Sequence, residues 1–430
     1  MNKPIITFSK KEKITVIFAV TIGNLLEWYE IYLFVYWAPV ISKLFFSPGT
    51  DNSNLIDVFL LFFLGFLARP IGGIFFGRLG DRIGRKKVLI LSILMMSIPS
   101  FLMAILPTFS KIGHFSTWLL AILRILQSFP AGGEAPGAAC YLYESSAYNE
   151  RKYMTSWTAI GYQTGIIIAT IECYLLEKFF TAEQLLNWGW RLSFLMSSGI
   201  GMCGLLLRSK LHETPLFQDL ANHARVAKDP LLKTIQKYKR ALIQSALYCF
   251  LVSPAFYFIS INFSSYFKFG NISNYLNDSI LTSFFLLLVT VPVPFIGKLA
   301  DIYSLKKIII SSNVFIIALI YPLYYSINNE LFSLFFVSAV LFCLCIACIT
   351  ALTPYIMCDL FPTKVRFTGV ALSYNLVDAV IGGIAPAAIL FLLKQTGNKG
   401  SFCWLLLACA VVSLVSFFFI KERLRLKQHS

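Results

Sequence analysis

Charged residues are scarce in this sequence. They make up 13% of its 430 residues, whereas a soluble globular chain carries about 25%. Such a low fraction excludes a soluble globular protein, a disordered chain and a secreted disulfide scaffold. Hydrophobic residues supply 57% of the chain, 40 of them Phe, and the mean hydropathy is +0.72. The composition therefore predicts a polytopic membrane protein.

Histidine is scarce too, with four residues in the whole chain. All four fall in predicted loops or in the tail: His114, His212, His223 and His429. The apolar runs consequently carry neither a nucleophile–base set nor paired metal ligands, and no soluble output domain is present. These absences argue against an intramembrane enzyme and against a sensor. We expect no cofactor and no metal.

Twelve apolar runs are long enough to cross a membrane, since a spanning helix needs roughly 20 residues. They cover residues 14–37, 55–77, 86–106, 115–143, 153–176, 190–207, 241–264, 278–297, 307–327, 331–357, 366–393 and 400–420. We therefore predict an all-α integral membrane fold with twelve transmembrane helices.

The formal charge of +16 is concentrated in short basic blocks between these runs. When both termini are placed in the cytoplasm, the outer loops hold six of the 37 Lys and Arg residues, and most of the others lie in inner segments. This asymmetry follows the positive-inside rule. It indicates cytoplasmic termini and a bilayer, rather than a nucleic acid, as the partner of the basic residues.

The chain divides near its midpoint. The long polar stretch 208–240 carries Pro215, Pro230 and eight basic residues, and it predicts a cytoplasmic linker between two bundles of six helices. The predicted divisions are a first bundle at 1–207, the linker at 208–240, a second bundle at 241–420 and a cytoplasmic tail at 421–430.

The two halves repeat a loop. Residues 77–87 read GRLGDRIGRKK, and residues 297–307, 220 positions later, read GKLADIYSLKK. A second pair agrees, because Glu144 and Asp359 each precede an arginine, Arg151 and Arg366, by seven residues. Paired repeats of this kind are typical of two-bundle transporters.

The loop at 77–87 resembles the signature loop of the major facilitator superfamily, in the expected place between spans two and three. Further motifs resemble the metabolite:proton symporter family, which includes proline/betaine and α-ketoglutarate transporters. They are GNLLEWYE at 23–30, RPIGG at 69–73, Arg124 with Gln127 and GGE at 132–134, WGWR at 188–191, ETP at 213–215, VRFTG at 365–369 and SYN at 373–375. The resemblance implies the major facilitator fold and a secondary active transporter that works by alternating access.

Ionisable residues inside spans are costly and therefore point to function. Glu27 and Glu30 share one face of span one, and Glu30 stands where the family usually has Asp. The resemblance implies that Glu30 adjoins Arg124 of span four. Such a pair can couple a proton to a solute carboxylate, or it can be a structural ion pair. Glu30 is the first proton-coupling candidate, followed by Glu134 and Glu27.

The substrate-binding candidates are Arg124, Gln127, Tyr29, Tyr257, Tyr374 and Asp378. A satisfied buried carboxyl is an equal interpretation of Asp378, and aromatics more often pack than touch a solute. Glu172 and Arg191 lie near the outer ends of their spans, where we expect them to reach the interface.

The charged loops are expected to form a cytoplasmic gate that holds the halves together. Its predicted members are Asp81, Arg82, Arg85, Glu144, Arg151, Asp301, Asp359, Arg366 and Arg69. Asp81 can cap the N-terminus of a neighbouring helix and pair with a basic residue. Arg69 can instead bond backbone carbonyls as a packing residue.

One arginine in the predicted cavity favours a solute with one carboxylate. A zwitterion such as proline or betaine ranks first, a dicarboxylate such as α-ketoglutarate second, and an uncoupled facilitator or exchanger stays open. The expected partners are a small-molecule substrate, protons and the lipid bilayer, with the protein working as a monomer. The expected location is the inner membrane of a bacterial cell.

Overall fold

The computed structural model describes residues 10–47, 51–263, 278–378 and 383–420, and these residues form helices and connecting turns without a β-strand. The helices before the polar linker are α1 Lys10–Tyr36, α2 Ala38–Phe45, α3 Asp51–Ile83, α4 Arg85–Ile105, α5 Phe109–Ile112, α6 His114–Ser128, α7 Ala131–Ser145, α8 Arg151–Phe179, α9 Ala182–Gln184 and α10 Trp190–Ser209.

The remaining helices carry the linker and the second half. They are α11 Pro215–Asn222, α12 Pro230–Lys237, α13 Lys239–Cys249, α14 Val252–Tyr257, α15 Asp278–Thr290, α16 Val293–Ile302, α17 Leu305–Asn328, α18 Phe332–Asp359, α19 Arg366–Val377, α20 Gly383–Thr396 and α21 Phe402–Phe419. The predicted linker thus contains two short helices, α11 and α12.

Ten helical segments among the described residues are long and apolar enough to cross a membrane. In such segments every backbone N–H and C=O can be satisfied within the helix, which is what a bilayer requires. The predicted spans at 115–143 and 366–393 are missing from this set. The first is divided into α6 and α7, and the second includes residues 379–382, which lie outside the described residues. The count of twelve and the cytoplasmic termini stay predictions.

Span four is divided by a proline. Pro130 follows the end of α6, and its carbonyl accepts hydrogen bonds from the backbone N–H groups of Gly133 (2.9 Å) and Glu134 (3.1 Å), so that α7 starts there. Because proline has no N–H to donate, α6 cannot continue through this position with its regular bonding. The division falls between Arg124 and Gln127 on one side and Glu134 on the other.

The described residues separate into two compact units. Those up to 145 and those at 161–230 form the first unit, and those at 146–160 and from 231 onward form the second. In the first unit α1 packs against α7 and α10, and α4 packs against α10 and α6. In the second unit α18 packs against α17, α15 and α16, and α13 packs against α19 and α21. The predicted boundaries at 207 and 240 stay predictions.

Small residues bring helices of the first unit close together. Gly161 and Gly165 of α8 face the backbone of α1, where a Cβ on Gly165 would lie 3.0 Å from the amide nitrogen of Tyr29. Small residues at this four-residue spacing permit such close approach of two helices. The close approach holds the backbone of α1 near Tyr29 against α8.

Candidate functional site

Six carboxyl groups are buried within the described part of the first unit. Asp81 and Glu144 belong to the signature loop and its neighbourhood, and the other four lie away from that loop: Glu27, Glu30, Glu134 and Glu172. A charge inside a membrane costs several kcal/mol unless it is compensated. The partners of each carboxyl therefore indicate which ones are held as permanent ions and which can exchange a proton.

Glu30 of α1 lies at the centre of a polar cluster to which α4, α6 and α10 also contribute. The Ser197 hydroxyl of α10 donates to its Oε1 at 2.5 Å, and the Ser100 hydroxyl of α4 bonds the same oxygen. Gln127 of α6 donates through Nε2 to Ser100 Oγ (2.7 Å) and accepts at Oε1 from Arg124 Nη1 (2.6 Å). A continuous set of hydrogen bonds therefore links the Glu30 carboxyl to the Arg124 guanidinium.

Arg124 itself has few partners, although its side chain is almost completely buried. The bond to Gln127 is its one hydrogen bond within the described residues, and its Nε has no acceptor there. Its guanidinium lies over the rings of Phe34 (4.3 Å to the centroid) and Phe62 (5.6 Å). A buried guanidinium with most of its five donors unused is prepared to bind an anion.

Arg208 provides the opposite case. Its Nη atoms bind both carboxylate oxygens of Glu134, and its remaining donors reach the backbone carbonyls of Ala19 (3.0 Å), Val20 (3.1 Å) and Leu89 (2.5 Å). Ser92 also donates to Glu134 Oε2 at 2.6 Å. Both side chains are completely buried. Glu134 is thus held as an ion by a bidentate partner, and the pair ties α1 and α4 to α7 and α10.

Glu27 also has a cation beside it. Arg69 Nη2 lies 2.7 Å from Glu27 Oε1, and the guanidinium lies over Phe66 at 4.5 Å and Trp28 at 5.9 Å. Arg69 is therefore engaged with span one in this structure. Its predicted part in a gate stays a prediction.

Glu172 does not reach the interface, so that expectation was wrong. The residue is 7% exposed, and its carboxylate accepts a hydrogen bond from the Tyr29 hydroxyl. Tyr29 is fully buried among apolar side chains and also donates to the backbone carbonyl of Ser193 at 3.3 Å. A substrate contact at Tyr29 stays a prediction. Arg191 is half-buried and donates to the carbonyls of Ala104 and Leu106 at 2.8 and 2.9 Å.

The signature loop forms a completely buried charge cluster. Arg85 donates to Asp81 Oδ1 (3.0 Å), to Glu144 Oε1 (3.0 Å) and to the carbonyl of Gly80 (3.0 Å). The Thr214 hydroxyl donates to the same Glu144 carboxylate at 2.8 Å. The ETP motif thereby joins the linker to this loop.

Glu213 of the same motif caps helix α4. Its carboxylate accepts from the backbone N–H groups of Arg85 (3.0 Å) and Lys86 (3.2 Å), two donors that a helix start leaves unpaired. Gly84, directly before the helix, has φ +105°, and a Cβ there would collide with the Glu213 carboxylate. Glycine is therefore required at this position.

Helix capping by a loop aspartate, expected of Asp81, is seen at Asp301. Its carboxylate accepts from the backbone N–H groups of Lys152 (3.2 Å) and Tyr153 (2.9 Å) at the start of α8.

Arg366 is buried and donates through Nε to the carbonyl of Cys358 at 2.9 Å. Among the other predicted gate residues, Arg82 is exposed, Asp359 is half-buried, and Arg151 lies over the ring of Tyr148.

In the second unit the predicted substrate residues have ordinary contacts. The Ser253 hydroxyl donates to Asp378 Oδ1 at 2.9 Å, Tyr257 packs edge-on against Phe256, and Tyr374 is half-buried. These contacts neither assign nor exclude a solute, so all three residues stay predictions.

Sequence comparison places the chain among known transporters. A profile described as "Sugar (and other) transporter" matches residues 15–246, more than half of the chain, and one described as "Major Facilitator Superfamily" matches residues 269–429. The chain belongs to this superfamily of transporters. It is therefore a multi-pass membrane transporter and not an enzyme, as the composition and the signature loop predict.

Named relatives of this transporter include two bacterial proteins. The proline/betaine transporter of Salmonella typhimurium is 28% identical over 414 residues, covering 94% of this chain and 82% of the relative. The glycine betaine/proline/ectoine/pipecolic acid transporter OusA of Dickeya dadantii is 28% identical over 413 residues, with the same coverage.

Solved structures show the same fold. The proton:xylose symporter XylE bound to 6-bromo-6-deoxy-D-glucose matches with a TM-score of 0.75 at 14% identity, over 96% of both chains. The human organic anion transporter MFSD10 matches with a TM-score of 0.61 at 13% identity, over 95% of this chain and 99% of that one.

Several residues of the buried cluster were not predicted from the sequence. Ser100 and Ser197 are serines within apolar spans, where hydroxyl groups are common and carry little signal. Phe34 and Phe62 are two of 40 phenylalanines, so the sequence does not distinguish them from the others. Arg208 was placed in the basic linker, because nothing in the local sequence separates it from Lys210. It lies instead in the last turn of α10.

Proposed function

We propose that this transporter is a proton-coupled symporter of a small zwitterionic metabolite with one carboxylate, of the proline/betaine type, in the bacterial inner membrane. The observation that carries the proposal is the buried series of hydrogen bonds Glu30–Ser100–Gln127–Arg124. In this series Arg124 makes one hydrogen bond, and the Glu30 carboxyl accepts from an uncharged hydroxyl group. We expect the protein to work by alternating access and as a monomer.

Arg124 is the proposed carboxylate-binding residue. Of the two fully buried arginines in this part of the unit, Arg208 uses its donors on Glu134 and on backbone carbonyls, whereas Arg124 uses one donor on Gln127. A guanidinium fork matches the two oxygens of a carboxylate. The Phe34 and Phe62 rings beneath it exclude water, which strengthens the attraction.

Glu30 is the proposed proton-coupling residue. When its carboxyl is ionised, the charges of Glu30 and Arg124 cancel, so a second carboxylate entering the site would be uncompensated. When Glu30 binds a proton, the site keeps the positive charge of Arg124, and a substrate carboxylate restores neutrality. Proton and solute then bind together, which is the requirement of symport. Glu27 and Glu134 are assigned structural roles, because each already faces an arginine.

The helix break at Pro130 supports a site at this level. Solute sites of secondary transporters typically form where a spanning helix is interrupted, near the middle of the membrane. Here the interruption separates Gln127 from Glu134. The buried clusters around Arg85 and Asp301 are assigned to the cytoplasmic gate.

The substrate class is supported by the relatives, whose names give proline, betaine, ectoine and pipecolic acid as their solutes. The test is uptake of labelled proline, glycine betaine and α-ketoglutarate into proteoliposomes, with and without an inward proton gradient. Gradient-dependent uptake of proline or betaine is the expected result. Uptake of α-ketoglutarate alone would overturn the zwitterion assignment, and gradient-independent uptake would overturn coupling.

A further inference from the structure

Glu172 is a buried carboxyl of the first unit that the proposed transport cycle does not yet use. It lies on α8, two turns before the end of that helix, and its side chain faces α1 and α10. Tyr29 donates to Glu172 Oε2, while Oε1 is buried without a hydrogen-bond partner among the described residues.

The surroundings of Glu172 do not compensate a permanent negative charge. No cation of the described residues forms an ion pair with it, in contrast to Glu27 with Arg69 and Glu134 with Arg208. An ionised carboxylate buried in this way carries a desolvation cost that the neutral hydroxyl groups of Tyr29 and Ser193 do not offset. A carboxyl in this setting is suited to binding a proton.

The groups that face Glu172 are few. From α1 they are the Tyr29 hydroxyl and, beyond it, the Glu30 carboxyl; from α10 the Ser193 hydroxyl; and from α8 itself the Cys173 thiol. Arg191 of α10 is directed elsewhere, to the carbonyls of Ala104 and Leu106. The carboxyl therefore has acidic and hydroxyl neighbours but no basic one.

Tyr29 relates Glu172 to Glu30. Tyr29, its donor, directly precedes Glu30 in α1, and the two carboxyls are flanked by Ser193 and Ser197 of α10. Those serines are four residues apart, an axial rise of about 6 Å. Tyr29 thus interacts with both carboxyls, by a hydrogen bond with Glu172 and electrostatically with Glu30.

We propose that Glu172, hydrogen-bonded by Tyr29, is a second proton-binding carboxyl of the transporter, which takes up a proton on the side where α8 ends and so supplies Glu30. The inference rests on the proposed symport. Tyr29, which bonds Glu172 and directly precedes Glu30 in α1, provides the path along which that proton can then be transferred inward.

The test uses the full-length protein, with two readouts. Infrared difference spectra recorded across an acid titration, without substrate, report protonated carboxyl groups directly. We expect Glu172→Gln to lose one carboxylic-acid band and Glu30→Gln to lose a different one. Glu177→Gln, an exposed acid five residues further along the same helix, is the control and should keep both. Tyr29→Phe should shift the Glu172 band by removing its donor.

The second readout is the pH profile of proline uptake. Glu172→Gln should lose the increase in rate at acidic outer pH while counterflow exchange persists, and Glu172→Asp should restore it in part. An unchanged set of infrared bands in Glu172→Gln would overturn the proposal, whatever the uptake result. If Glu30→Gln accumulated proline like the wild type, the proposed function would fail, and the infrared result would still decide on Glu172.

Discussion

Replacing Arg124 or Arg208 with methionine provides a sharp test. Although both arginines are buried in the same unit, the first substitution should abolish substrate binding and the second should destabilise the fold. Arg208→Met removes both guanidinium donors from Glu134 and leaves that carboxylate with Ser92 as its remaining donor among the described residues. Breaking a buried ion pair in this way costs about 3–5 kcal/mol. We therefore expect a large loss of stability without direct damage to the solute site.

Arg124→Met should have little effect on stability. It removes a hydrogen bond to Gln127, worth about 1.5–3 kcal/mol, and the contacts over Phe34, worth about 0.5–2 kcal/mol. It also removes the desolvation cost of a buried charge without an ion-pair partner, which is several kcal/mol. These effects nearly cancel, but binding of the substrate should be abolished.

The assay is thermal unfolding in detergent followed with a thiol-reactive dye, because seven of the ten free cysteines are buried and react as the helices separate. Saturating substrate at 100 times its Kd should stabilise the wild type by about 2.7 kcal/mol, and should not stabilise Arg124→Met. If Arg124→Met melted as early as Arg208→Met, or were still stabilised by substrate, the distinction between the two arginines would be wrong.

Three further predictions follow from individual contacts. Ser197→Ala removes a donor to Glu30 that favours the charged carboxylate, so the outer pH at which uptake is half-maximal should move upward. Glu134→Gln should lower the melting temperature but keep pH-dependent accumulation; a loss of coupling in well-folded protein would return Glu134 to the proton pathway. Glu213→Ala removes the cap of α4 and should reduce stability by about 1 kcal/mol, whereas exposed Glu183→Ala should not.

The fold class follows from properties that the sequence displays directly. Length, apolar runs and the asymmetry of basic residues are set by the bilayer, and the loop at 77–87 identifies the superfamily. The division of span four at Pro130 shows the limit of counting apolar runs, since a single proline can divide a run without changing its hydropathy.

The residues of the candidate site could be predicted from the sequence where they carry charged or polar side chains. Glu30, Arg124 and Gln127 were found because polar groups in apolar spans are rare, and the structure brings these three into one cluster. The pairing of acids with arginines was not predictable. Which arginine faces Glu134 depends on how α7 and α10 pack, and Arg208 looked like a residue of the linker.

The central claim is that Glu30 couples proton and solute, and one comparison tests it most directly. Wild type and Glu30→Gln, reconstituted at equal density, are compared for proline accumulation under an inward proton gradient and for proline counterflow without one. We expect Glu30→Gln to lose accumulation and to retain counterflow. Accumulation at the wild-type level by Glu30→Gln would contradict it.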